Sequence, residues 1–104
     1  MAWLVLVVSG VLEAVWATAL GRSDGLTKVV PTAVFGVTVV LSMVGLAYAM
    51  RSLPTGTAYA VWVGIGASLT VAYGMVAGGE PVSALRILFL AMIVGGVIGL
   101  KAVD

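Results

Sequence analysis

Residues 1–21, MAWLVLVVSGVLEAVWATALG, carry a single charge, the carboxylate of Glu13, in an otherwise uncharged run. A helix crossing the hydrocarbon of a bilayer needs about 20 predominantly apolar residues. The stretch has that length, and it closes in GRSDGLTK (Gly21–Lys28), where Gly, Ser and Asp favour a turn. RSLPTG (Arg51–Gly56) and GGEPVS (Gly78–Ser83) break the rest of the chain in the same way. The pattern predicts one four-helix transmembrane domain over residues 1–104, with spans of about 2–20, 29–50, 57–77 and 84–103. Pro31 falls in the first turn of the second span, where its missing N–H costs nothing. Arg86 and Lys101 fall just inside the ends of the fourth, where their stems can snorkel to the headgroups.

Composition points the same way. Hydrophobic residues make up 62% of the 104 and charged residues 9%, against roughly 25% charged in a soluble domain. A core this small cannot bury so much apolar surface, so the excess faces lipid. The expected fold class is an all-α membrane protein. A net charge of +1 without a basic stripe excludes nucleic acid as a partner. The chain has no Cys and no His, which removes disulfides, thiolate or imidazole metal ligands, and His or Cys catalysis. An enzyme is therefore not expected. Ala17-Thr18-Ala19 has the form of a signal-peptidase site, yet no Lys or Arg precedes the stretch and Glu13 would sit in its apolar centre. The first span is expected to stay as a helix.

Orientation is close to undecided. The first and third loops share one side of the membrane and carry Arg22, Lys28 and Arg86; Arg51 and Lys101 lie on the other. Three against two is a weak positive-inside bias, equally compatible with a fixed topology and with copies inserted both ways.

Glu13 lies about 12–16 Å along its helix from either end at 1.5 Å per residue, close to the bilayer middle. A charge there costs at least ~2.5–3.5 kcal/mol. No Lys or Arg stands at matching depth, so the carboxylate must hold a proton, take a cation from outside, or face a wet cavity. A group alternating between proton and cation is the core of an exchanger. The competing reading is a protonated Glu13 acting as hydrogen-bond glue between helices. Ser9, Gly10, Glu13, Trp16 and Ala17 share one face of the first helix by i, i+3, i+4 spacing. Thr38, Ser42 and Gly45 share one of the second, and Tyr59, Trp62 and Gly66 one of the third. Trp16 offers a π face for a cation one turn from the acid, and Ser42 could hydrogen-bond the carboxylate and hold its rotamer. Tyr59 and Trp62 lie shallow enough to belong to the site or to the interfacial belt; Trp3 belongs to the belt. Ala91, Gly95 and Gly99 form a small-residue stripe on the fourth helix, a dimer contact or a packing seam within one subunit. Gly56, Ala60 and Gly64 repeat that spacing on the third, where Gly64 and Gly66 also suit a bend.

With these residues in place the chain resembles the small multidrug resistance family over essentially its whole length, and within it the guanidinium-exporter subtype. The stretches carrying the resemblance are MAWLVLVVSGVLEAVWATAL, LPTGTAYAVWVGIGA and the ending GVIGLK. The resemblance implies an antiparallel, dual-topology homodimer of four-helix subunits that exports guanidinium or small guanidinyl cations in exchange for protons. It implies no cofactor, the proton gradient being the driving force. In that reading Glu13 binds substrate and protons, Ser42 and Trp62 orient its carboxylate, Trp16 shapes the pocket, Tyr59 gates or cross-links the subunits, and Gly10 makes space beside the acid. Trp16 favours the guanidinium subtype. The alternatives it leaves are a broader quaternary-ammonium exporter and one half of a heterodimer with a paralogous subunit. The chain departs from the family pattern in the first loop, with Gly21 where Lys is usual and Leu26 where Phe is usual, which touches loop contacts more than the pocket.

Outside the resemblance, a passive cation channel would conduct without saturable competition between proton and cation, and a structural subunit would tolerate Glu13→Gln.

Overall fold

A computed structural model describes residues 1–103; Asp104 lies outside them. The chain runs through helices α1 (Ala2–Arg22), α2 (Val29–Ala49), α3 (Thr55–Ala77) and α4 (Ala84–Val103), each long and apolar enough to cross a membrane. Helix α1 continues two residues past Leu20, α2 stops at Ala49, and α3 begins at Thr55 rather than Thr57. The early start of α3 follows from Pro54, whose fixed φ of −57° sets the entry and whose carbonyl accepts the Ala58 N–H at 2.9 Å. Ser83 caps α4, its hydroxyl accepting the Arg86 N–H at 3.1 Å.

The first loop is wound around Ser23, which is fully buried. Its hydroxyl donates to the Leu20 carbonyl at 2.7 Å and accepts the Leu26 N–H at 2.9 Å. Its carbonyl accepts the Thr27 and Lys28 N–H groups, both at 2.9 Å. Turning the chain this tightly puts Asp24, Gly25 and Leu26 at φ of 51°, 68° and 71°. Glycine takes that conformation freely and Asp tolerates it; at Leu26 it costs about 1–2 kcal/mol.

Helix α1 is central, with α2 on one flank and α3 on the other, while α4 packs on α3 and sets its Lys101 ammonium 5.0 Å from the centre of the Trp3 ring of α1. The subunit measures 40 × 34 × 17 Å, so its short dimension is under twice the ~10–12 Å diameter of a helix. Close approach depends on small residues. A Cβ at Gly45 would strike the Ser9 side chain, one at Gly10 would strike Ile65, and one at Gly64 would strike Val97. The core gathers Leu6, Leu46, Ala49, Leu53, Ala58, Val61 and Trp62 from α1, α2, the second loop and α3. Helix α4 contributes no buried residue.

Candidate functional site

Glu13 projects from α1 toward α3 and lies against Gly66. A Cβ at position 66 would collide with its Oε1 and approach its carboxyl carbon to 2.5 Å and its Cγ to 2.7 Å. The carboxylate borders a cavity of about 290 Å³ lined by Ala17 of α1 and by Val63, Gly66, Ala67, Thr70 and Val71 of α3. Glu13 Oε1 is buried and accepts no hydrogen bond from any described residue. An acceptor in that position loses its hydration without a replacement, so it is set to receive a proton or a donor that enters the cavity.

The hydroxyl and aromatic residues gather on the neighbouring seam between α1, α2 and α3. Trp62 Nε1 donates to Ser42 Oγ at 3.0 Å, and Ser42 Oγ donates to the Ser9 carbonyl at 2.7 Å. The expected hydrogen bond from Ser42 to the Glu13 carboxylate is therefore not made, because the one hydroxyl proton of Ser42 is committed to α1 backbone. The chain from Trp62 through Ser42 to Ser9 instead fixes the rotation of the three helices about one another. Ser9 and Ser42 are exposed by only 2% and 0%, and Ser9 donates its own hydroxyl to the Val5 carbonyl at 2.7 Å. Every polar atom in this small network has a partner, the condition under which buried polar groups order a structure.

Trp16 connects the two halves of the site. It stands one turn from Glu13 and packs on Trp62, ring centroids 6.4 Å apart and tilted by 41°; Phe35 of α2 meets it edge-on at 6.0 Å. Tyr59 continues the row at 5.9 Å from Trp62. Trp16 Nε1 is buried without a hydrogen-bond partner among the described residues. Trp62 is 4% exposed and therefore core, whereas Tyr59 is 54% exposed and turned outward.

Three glycines are told apart by what their missing Cβ atoms face. Gly10 does not make room beside Glu13: the residue that would meet its missing Cβ is Ile65, so it serves the α1–α3 approach. Gly66 makes the room. Helix α3 stays α-helical through Gly64 and Gly66; Gly64 admits α4 and Gly66 admits the carboxylate. Thr38 leaves the site as well, its hydroxyl returning to the Val34 carbonyl at 2.6 Å. Sequence reasoning placed Gly66 on the site face of α3 but missed Thr70 of the same cavity. The signal for Thr70 was the i, i+4 spacing that places both on one α3 face.

Ala91, Gly95 and Gly99 are all exposed, and neither glycine has any atom within 4 Å of a Cβ position. Packing within one subunit does not use the stripe; α4 meets α3 through Val97 and Ile93 at Gly64. Among the described residues no group of three His, Cys, Asp or Glu is placed to hold a metal ion.

Residues 1–93 match the family model described as Small Multidrug Resistance protein. The chain is 50% identical over 101 residues to a protein of Yersinia pestis named guanidinium exporter, covering 97% of each chain. Proteins of the same name from Proteus vulgaris and Escherichia coli K12 are 48% and 46% identical over 101 residues, covering 97% of this chain and 97% and 96% of theirs.

Proposed function

Because the chain belongs to the small multidrug resistance family, we propose that it is a proton-coupled antiporter exporting guanidinium-type cations across the cell membrane, Glu13 binding either proton or cation. The observation carrying this reading is the buried Oε1 of Glu13, without a partner among the described residues and lying against Gly66 on a cavity between α1 and α3. Guanidinium is planar and gives a carboxylate two parallel N–H···O bonds, as an Arg side chain does. A tetraalkylammonium cannot, so selectivity follows hydrogen-bonding ability as well as charge. Because proton and cation compete for the same oxygens, exchange needs no separate coupling device and no cofactor; the proton gradient supplies the driving force.

The working unit is a pair of subunits inserted in opposite directions, a second copy or a paralogous chain. Opposed subunits form an inverted repeat, the arrangement on which alternating access is built, with the two Glu13 carboxylates meeting near the midplane. The thin subunit, the uncovered α4 stripe and the outward Tyr59 support this assembly.

The test is reconstitution of the purified protein alone in liposomes under an inward guanidinium gradient, with internal pH recorded. Saturable proton efflux is expected; absence of efflux from folded protein would remove the reading of a self-sufficient guanidinium exchanger. Competition also fixes a pH dependence. Where the empty site is protonated, the KM for guanidinium rises by up to about tenfold per unit fall in pH for one competing proton. A pH-independent KM would show that the two ligands do not share a site.

Gly66→Ala tests the cradle. The added methyl occupies the place of the carboxylate, forcing Glu13 out of its rotamer at a cost of about 1–3 kcal/mol. That corresponds to a guanidinium affinity about 5- to 150-fold weaker in calorimetric titration, whereas Ala is a better helix residue than Gly. Unchanged affinity would mean that Glu13 works from another position.

A further inference from the structure

The cavity at Glu13 adjoins a second one, about 340 Å³ in volume, at the membrane end where the first and third loops emerge. The two share Ala17 and Thr70 as walls. Arg22, Tyr73, Gly74 and Glu80 line the outer one. Arg22 closes α1, and the knot of hydrogen bonds on Ser23 fixes the backbone beside it. Its guanidinium donates from Nη2 to the Tyr73 hydroxyl at 2.8 Å and lies 5.4 Å from the centre of the same ring. Glu80 folds back over α3: its N–H donates to the Gly74 carbonyl at 3.0 Å, and a Cβ at Gly74 would come within 2.6 Å of its carboxyl carbon. Thus Gly74 cradles Glu80 as Gly66 cradles Glu13, two turns apart on α3. Arg22 turns to Tyr73 rather than pairing with Glu80, although all three line one cavity.

We propose that this vestibule is a second binding site for a guanidinium cation, on the path to Glu13, with Tyr73 and Glu80 as its receptors and the Arg22 head group as a tethered occupant that an incoming guanidinium displaces. Its ligand rests on the guanidinium reading above. The chemistry is already displayed in the fold, since Tyr73 holds a guanidinium by its π face and its hydroxyl together. Glu80 adds a carboxylate capable of two parallel hydrogen bonds. An entering cation thus exchanges its water for a ring face and an acid before it moves past Ala17 and Thr70. Glu13 and Arg22 are nine residues apart on one helix, about 14 Å at 1.5 Å per residue, so the two sites are separate and can be filled independently.

The experiment follows the ¹⁵N side-chain resonances of arginine in the Glu13→Gln protein in lipid bicelles during titration with guanidinium chloride. Arg51 and Arg86, which do not line the vestibule, serve as internal controls. The Arg22 signals are expected to move saturably toward those of a free side chain, while tetramethylammonium chloride at equal ionic strength leaves them in place. Glu80→Gln, a change in an exposed loop, weakens that response by about fivefold or more, as loss of a charge-assisted bidentate partner at a partly exposed site should. Tyr73→Ala abolishes it, because Arg22 then has neither ring nor hydroxyl from which to be displaced. Arg22 signals that ignore guanidinium, follow ionic strength alone, or respond unchanged in Glu80→Gln would overturn the proposal. The readout needs neither Glu13 nor transport. A vestibule that binds guanidinium in a protein that fails to exchange protons would therefore sink the reading of a self-sufficient exporter and leave this one standing.

Discussion

Glu13→Gln is expected to reduce guanidinium-driven proton movement to that of protein-free liposomes while the subunit keeps its four helices. Both halves of the expectation follow from the environment of the side chain. Gln has the shape of Glu, so the space that Gly66 leaves for the head group is filled as before. It carries no charge to bury, and so avoids the ~2.5–3.5 kcal/mol or more that an ionised acid costs at this depth. The amide cannot release a proton near neutral pH, and its NH₂ meets an incoming cation as a donor facing donors. Proton and cation binding are therefore lost together. Circular dichroism and thermal unfolding establish the fold, and internal pH with radiolabelled guanidinium establishes the two fluxes. Retained exchange would assign Glu13 to helix–helix bonding. Guanidinium flux that persists without proton counterflow would indicate a passive path through the subunit. Only joint loss of both fluxes matches a single shared site.

The four helices were legible because charge and length decide them. Arg22, Lys28, Arg51 and Glu80 all fall at or outside helix ends, and the apolar runs between are as long as a bilayer is thick. Glu13 was legible as the one charge in its run. Less could be read of what each polar side chain touches. A period of 3.6 places Ser42 and Gly45 on one face of α2, yet it does not give the rotation of α2 against α1. That rotation decides whether the Ser42 hydroxyl meets Glu13 or the Ser9 carbonyl. Phe35 escaped notice for the same reason, since its role is to receive Trp16 from another helix. The glycines were the most ambiguous. Gly10, Gly45, Gly64 and Gly66 look alike along the chain, but their missing Cβ atoms face Ile65, Ser9, Val97 and Glu13 respectively. Three allow helices to close on one another and one allows a carboxylate to lie down. Only the spatial neighbour separates packing from function there.

Leucines at positions 95 and 99 together are expected to leave the subunit folded and to abolish both dimer and exchange. Within the subunit a Cβ at either position meets nothing within 4 Å, so added bulk extends into lipid at no packing cost. Across an interface built on close backbone approach the same bulk holds the helices apart. Overpacking costs about 1–3 kcal/mol per site; with two sites on each of two partners, association weakens by about 4–12 kcal/mol, a factor of about 1,000 or more. Chemical cross-linking in lipid and light scattering in detergent measure the dimer, and the liposome assay measures exchange. Gly64→Leu provides the contrast: its side chain would run into Val97 within the subunit, so it lowers thermal stability before it touches assembly. A stable subunit that no longer pairs or exchanges, set beside an unstable one at Gly64, separates the outer α4 stripe from the inner α3–α4 seam. If the double leucine variant still pairs and exchanges, the stripe faces lipid. The dimer must then be held by another of the exposed apolar faces, such as the one that carries the outward Tyr59.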